Sequence, residues 1–380
     1  MDNGLGQQPD NPVMPPANPI APQPVSTGLE NNSPPQPELL DEPKSKRTMW
    51  LITSLVIVVI LIIAGIFLIK HNDRKSVTTA KVYKVGILDG LTSYFGGSVT
   101  GFEQGMTNLG YIKGKTIIYD VENKPLTGNQ ATFKKFIANK DSLIVTIPTE
   151  PSLEAEQYTK GSGIPIVGLD ASSEGTSLII SIQNPGHDFA GVRYPGPEDS
   201  VERLDILHQM APQDNQILVP YLADYPNVPA QLTAMEAEAA ILGQHLIIQP
   251  LAPAQISGYV AGLSPSKPGF DAIVGAAEPF TVTPALNGSL YAFANQNNIP
   301  ILGGALSNDD TGPIVSVAPS SFAVGELASS LANKIFKGAK AGSLPVLTPT
   351  SNLEVNLKVA KRLGITPDTG LLSTATEIIR

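Results

Sequence analysis

The sequence contains no cysteine. That absence excludes disulfides, thiolate metal sites, a cysteine nucleophile and an anchor made by lipidating a cysteine, and it leaves the redox compartment open. Histidine is scarce too. His71, His187, His208 and His245 are scattered with no close pair, which argues against a His-rich metal centre. Catalytic signatures are also missing. Gly114-Lys115-Thr116 looks like the end of a P-loop, but the earlier glycine would fall at Leu109 and the tripeptide leads into a strand instead of a helix. There is no Gly-x-Ser-x-Gly elbow to carry a nucleophilic serine. Basic runs are confined to the flanks of one apolar stretch and the net charge is −9, so nucleic-acid binding, which draws on neutralised phosphates, is not expected. No metal or other cofactor is expected either.

What is present begins with that apolar stretch, a 21-residue uncharged run from Met49 to Ile69. As a helix rising ~1.5 Å per residue it would be about 31 Å long, close to the ~30 Å hydrocarbon thickness of a bilayer. We therefore expect a transmembrane anchor over residues 48–70. A cleaved signal peptide is the competing reading, with Thr78 and Ala80 as a loose cleavage site, but its apolar core normally runs about 7 to 15 residues. A buried core helix would need protein on every side. Lys44, Lys46 and Arg47 flank one end and Lys70, Arg74 and Lys75 the other, so the positive charges scarcely decide orientation. Residues 1–47 hold 11 of the 34 prolines and few residues able to form a core, which predicts a disordered proline-rich tail. Residues 71–81 would be a linker.

The remaining chain alternates strand-like and helix-like segments. KVYKVGILDG leads into Val99, Phe102, Met106 and Leu109 at helical spacing; TIIYDV, SLIVTI and IPIVGL follow, each preceded by a helical stretch. Four such strands imply parallel βαβ units with right-handed crossovers. The pattern breaks at Arg193-Tyr-Pro-Gly-Pro197, a stiff crossing segment, and a second series then begins: a helix from Asp199 to Met210, then QILVPY, a helix, HLIIQP, DAIVGA, a helix, IPILGG and PIVSV. The expected fold class is thus α/β, two doubly wound parallel-sheet lobes joined by a hinge and preceded by one transmembrane helix. The first lobe would span 82–192 with a return segment at about 314–342, and the second 198–312 with a C-terminal segment at about 346–380. Further crossings are expected near Pro313 and Ser343 to Pro345.

The stretches KVGILDG and GFEQGMTNLGYIKGKTIIYDVEN resemble the opening of the substrate-binding proteins of ABC transporters of the tryptophan/tyrosine-type group. SLIVTIPTEPS, NPGHDFAGV, NIPILGG and LPVLTPTSNLEVNLKVAKRLGI resemble further blocks of that family, the most specific being Asn356 to Ile365. The resemblance covers about Lys81 to Arg380. It implies a type I periplasmic-binding fold, whose lobes close over a small ligand and present it to permease subunits in the membrane. The domain would then be extracellular and monomeric and the tail cytoplasmic. Thr149 matches the family's threonine before the third helix. Where the family often has Thr-Asp-Pro this chain has Ser172-Ser173-Glu174, and where it has Thr-Asp-Asn this chain has Ala277-Glu278-Pro279, so the aromatic amino acid does not simply carry over.

The residues point to a pocket independently, because ligands of open parallel sheets sit outside the carboxyl ends of the strands. The six loops concerned are 89–95, 147–152, 168–176, 220–229, 275–284 and 303–313. They contain Asp89, Glu150, Asp170, Glu174, Asp224, Glu278, Asp309 and Asp310 and no lysine or arginine. Such a mouth favours a neutral, cationic or zwitterionic ligand, an amino acid or amine, over a phosphate or dicarboxylate. Tyr94, Phe95, Tyr221, Tyr225 and Phe280 would supply aromatic walls, and Ser172 a hydroxyl. A ligand carboxylate would dock at the helix start carrying Thr149 and Ser152, with Pro151 in its first turn. For each residue the plain alternative is a solvated loop acid, a helix cap or a rim aromatic packed on its own lobe. The function expected is solute capture for an importer, without catalysis; the alternatives are a membrane-anchored ligand sensor and a small-substrate hydrolase. A transcriptional regulator with the same core would need a DNA-binding helix pair where this chain has its apolar run.

Overall fold

The computed structural model describes residues 56–64 and 81–380. The expected tail, most of the expected anchor and residues 71–80 of the linker lie outside the described residues. Residues 56–64 form a helix, α1, with exposed apolar side chains. Among the described residues, no helix is long and apolar enough to cross a membrane.

Residues 81–380 build two sheets. The first contains β1 (Tyr83–Asp89), β2 (Ile117–Asn123), β3 (Leu143–Ile147), β4 (Ile166–Ala171) and β5 (Phe189–Arg193), with α2 (Thr92–Asn108), α3 (Gln130–Ala138) and α4 (Thr149–Thr159) between the strands. Its order is β2-β1-β3-β4-β5, parallel throughout. LIVTI of β3 and IVGLDA of β4 are buried at every position, as suits parallel strands covered on both faces. β5 is a fifth strand that the alternation in the sequence did not reveal.

The second sheet follows α5 (Gly196–Met210). It comprises β6 (Gln216–Leu222), β7 (His245–Leu251), β8 (Ala272–Val274) and β9 (Ile301–Leu302), with α6 (Val228–Leu242), α7 (Ile256–Ala261), α8 (Pro279–Val282) and α9 (Pro284–Gln296) intervening. It continues with β10 (Val315–Pro319), which precedes α10 (Ser321–Phe336), and then β11 (Ser351–Asn356), α11 (Leu357–Leu363), α12 (Thr369–Thr374) and β12 (Glu377–Ile379). The order is β12-β11-β10-β9-β8-β6-β7. Here the expectation of a wholly parallel sheet is corrected: β11 runs antiparallel to β10, because it arrives from the first lobe and not over a crossover helix.

The chain passes between the lobes three times. The first passage is at Tyr194-Pro195, inside the segment expected from the sequence. The second is at Ser320, not near Pro313, since β10 belongs to the second sheet and only α10 returns to the first lobe. There α10 lies against α2 at glycines. A Cβ on Gly101 would come within 2.0 Å of the Phe322 carbonyl oxygen, and one on Gly325 within 2.1 Å of the Ser98 oxygen, so only glycine permits this approach. The third passage is at 347–351. Leu347 still pairs beside β5, exchanging hydrogen bonds of 2.9 Å with Arg193 and Gly191, before β11 begins at Ser351.

Candidate functional site

β1 lies between β2 and β3, and β6 lies between β7 and β8. In each sheet the connections leave toward opposite faces at that point, which opens a crevice at the carboxyl ends of the strands. The two crevices share one slot, which has a volume of about 40 Å³ as the lobes stand, so a ligand larger than a water molecule or two needs the lobes to part. From the first lobe come Leu91, Tyr94 and Phe95 after β1, Pro148 and Thr149 after β3, Asp170 and Ser172 at the end of β4, and Tyr194 after β5. From the second come Tyr225 and Asn227 after β6, Ala277, Glu278 and Thr281 after β8, Gly304 after β9, and Arg203 from α5.

The slot therefore brings together Tyr94, Phe95, Thr149, Asp170, Ser172, Tyr225 and Glu278 of the residues expected from the sequence. The others lie elsewhere, each for a local reason. Asp89 is buried at the end of β1, where its Oδ1 accepts the Leu91 N–H at 3.0 Å and braces the turn into α2. Ser152 turns its hydroxyl back onto its own helix, donating to the Pro148 oxygen at 2.7 Å and bonding Thr146 Oγ1 at 2.8 Å. Phe280 is core, packed with Leu218, Ile273 and Leu290. Tyr221 is half-buried on β6, outside the slot, and Asp224 is exposed in a left-handed turn at φ 63°. Asp309 occupies an exposed turn whose Oδ1 accepts from the Ser307 hydroxyl at 2.6 Å and from the Thr311 N–H at 2.8 Å, which holds its carboxyl at about 2. Asn356 pins that turn away from the slot, donating to the Ser307 and Asp309 carbonyls at 2.7 and 2.9 Å.

Two carboxyls line the slot, Asp170 and Glu278, and both are buried. Asp170 accepts the Ser98 hydroxyl on Oδ2 at 2.6 Å, while its Oδ1 is buried with no partner among the described residues. Burial pushes this carboxyl up to about 7; the Ser98 hydrogen bond opposes the shift and nearby Asp89 adds to it. Glu278 caps α8, accepting the Phe280 N–H at 2.9 Å, and burial raises it to about 8. Outside the slot lining, burial also raises Glu150, whose Oε2 has no partner among the described residues. An aromatic corner stands beside Asp170. Tyr94 meets Phe95 edge-on at 4.7 Å, and Phe95 meets Tyr194 edge-on at 6.5 Å. Burial lifts the Tyr94 phenol to about 12, so it remains a hydrogen-bond donor at neutral pH.

The expectation that the slot has no base is corrected. Arg203 lines it, 1% exposed, with Nη1 donating to the Gly275 carbonyl at 2.7 Å and Nη2 to the Val317 carbonyl at 2.6 Å. The count of loop residues missed it because it comes from the middle of a helix. A signal was available: Asp199, Ser200, Arg203, Leu204 and Leu207 recur at three- and four-residue spacing, which puts the arginine on the buried face. Tyr194 and Asn227 were missed because one sits in the crossing segment and the other at the residue before α6.

Residues 95–379 match the family described as ABC transporter substrate binding protein. No curated protein matches by sequence. Among solved structures, the ABC domain from Streptococcus pneumoniae in complex with L-Trp is 21% identical, with a TM-score of 0.67 over 79% of this chain and 100% of that one. A conserved domain protein from Vibrio cholerae is 23% identical, with a TM-score of 0.66 over 79% and 100%. A ligand-free, open substrate binding protein with adhesive properties from Clostridium difficile is 22% identical, with a TM-score of 0.60 over 78% and 99%. At these identities the likeness shows the fold, which is the type I periplasmic-binding fold. The family match extends from the first helix of the slot to the last strand, and on it the chain belongs to the ABC transporter substrate-binding proteins.

Proposed function

We propose that this protein is the membrane-anchored, extracellular solute-binding component of an ABC importer, and that it captures a small amino acid or amine by closing its lobes over the slot. The observation that carries the reading is Asp170, buried in a slot walled by both lobes with one carboxylate oxygen unpartnered among the described residues. A ligand ammonium supplies the missing partner, and the aromatic corner supplies a face for an apolar body. The neighbour from Streptococcus pneumoniae, crystallised with L-Trp, supports an amino acid as the ligand class. The anchor rests on the Met49–Ile69 run, which is longer than a signal-peptide core. On this reading the N-terminus is cytoplasmic, the binding domain is a monomer, the permease subunits are its partners, and it catalyses no reaction.

The test is mass spectrometry of ligand released from full-length protein purified without added solute, with calorimetry on the released compound. An amino acid or amine whose affinity falls on Asp170→Asn is the expected result. A released phosphate or sugar, or binding indifferent to Asp170→Asn, would sink the assignment. Fractionation tests the anchor: the protein should remain with the membrane after high-salt washing, and a soluble mature form beginning near Lys81 would refute it.

A further inference from the structure

We propose that Arg203 is the residue that receives the anionic group of the ligand, with its Nε as the donor, and so makes a carboxylate a requirement for binding. This rests on the reading of the slot as the ligand site. Arg203 Nε is buried with no hydrogen-bond partner among the described residues, and no carboxylate lies within ion-pair distance of the guanidinium among them. Its two held nitrogens meet carbonyl oxygens, which are neutral. A guanidinium taken out of water needs a paired charge, and this fork, with two of its nitrogens held, keeps one N–H unsatisfied among the described residues.

The fold holds this fork still. Nη1 and Nη2 tie it to β8 and β10 through Gly275 and Val317, and it fits beneath Gly303, where a Cβ would lie 3.2 Å from Cδ, Nε and Cζ. The neighbouring acid on the same helix, Asp199, feels the Arg203 charge, which opposes the rise that burial gives its carboxyl, but it makes no ion pair with the guanidinium among the described residues. Asp199 accepts the Ser351 hydroxyl at 2.6 Å, and burial pushes its carboxyl up to about 7.

At the helix start carrying Thr149, the place the sequence suggested for a carboxylate, the two hydroxyls are already engaged. Thr149 Oγ1 accepts the Ser172 N–H at 3.0 Å, the Ser152 hydroxyl is committed to Pro148, and the Glu150 carboxyl sits in the same first turn. An anion placed there would face Glu150. With Asp170 Oδ1 and Asn227 Oδ1 as acceptors, and Arg203 Nε as a cationic donor, that have no partner among the described residues, the side chains lining the slot complement a zwitterion.

The experiment is calorimetry of the full-length protein in detergent against the free amino acids, each paired with its own amide, which keeps the ammonium and loses the anion. Wild type should bind one or more of the acids at least ~30-fold more tightly than the matching amide. Arg203→Gln should abolish that preference by weakening the acid and sparing the amide. Arg203→Lys keeps the buried cation should the Gln variant fail to fold, and it should retain part of the preference. An amide bound as tightly as its acid, a preference that survives in both variants, or no free amino acid bound at all would overturn the role of Arg203. In the first two cases, sensitivity to Asp170→Asn would leave the slot itself standing, whereas indifference to both residues would remove the slot reading as well.

Discussion

Asn227 of the second lobe donates its Nδ2 to Ser172 Oγ of the first at 2.5 Å, and the same nitrogen reaches the Ala277 carbonyl at 3.1 Å. One buried amide thus stitches the two walls of the slot together across the gap. Asn227→Ala removes the stitch and strands the Ser172 hydroxyl, a cost of about 1 to 3 kcal/mol for a buried group left unpaired, while the Ala277 carbonyl keeps the Gln231 Nε2 donor at 3.1 Å. Small-angle scattering should show a larger radius of gyration for the variant than for wild type without ligand. Identical curves would mean that this contact does not hold the lobes together.

Arg193 makes a second tie at the crossing itself. It pairs with Glu174 of the first lobe and Glu198 at the start of α5, and its Nε donates to Thr348 Oγ1 at 2.9 Å on the third crossing strand. The Glu198 side chain is 58% exposed, so solvent and salt screen that arm. Glu198→Gln should therefore change stability by less than about 1 kcal/mol. Arg193→Ala leaves Glu174 without its partner and should cost several times as much. Thermal unfolding of both variants at low and high salt checks the ranking, and equal effects would contradict it.

The slot carboxyls make stability depend on pH in a definite direction. Asp170 and Glu278 stand at about 7 and 8 against ordinary values of 3.8 and 4.5. Because the fold raises them, their contribution to stability is fully present below about pH 4 and is lost as pH rises through 7 to 8. Asp170→Asn should flatten part of that decline in the ligand-free protein, as read by melting temperature between pH 5 and 9. Binding an ammonium reverses the preference for the protonated acid, so calorimetry at pH 6 should show proton release that the Asn variant lacks.

Asp224 and Asp309, both exposed and outside the slot, should tolerate alanine with ligand affinity changed less than about twofold, in line with the small effects of rim charges. Phe280→Ala should instead lower stability by about 3 to 5 kcal/mol, because it empties a core position. Paired measurements of binding and unfolding separate the two effects. A loss of affinity in Asp309→Ala at unchanged stability would contradict its placement in the Asn356-pinned turn.

Much of the architecture is legible in the sequence. Apolar runs such as LIVTI, separated by helical spacing, carry parallel-sheet order because strands covered on both faces must be apolar throughout. β5 was not legible, since FAGVR interrupts its apolar residues with a glycine and ends on an arginine, so it carries no continuous apolar run. The second sheet's antiparallel strand was hidden for another reason: strand direction depends on which lobe the chain comes from, and no local pattern records that.

The sequence by itself determined the two-lobed α/β fold and the carboxyl-end loops around which a ligand site forms. It also determined the acidic and aromatic character of those loops, and it established the length of the apolar run at residues 49–69. These are properties of periodicity and composition, each readable within a short window. Tertiary structure decided which loop residues face the slot. Asp170 and Asp309 are both acids in predicted loops, but the first is enclosed between lobes while the second is tied outward by Asn356. It also decided that a helix would put Arg203 among the acids, because a side chain fastened to β8 and β10 depends on contacts 72 and 114 residues away in the chain.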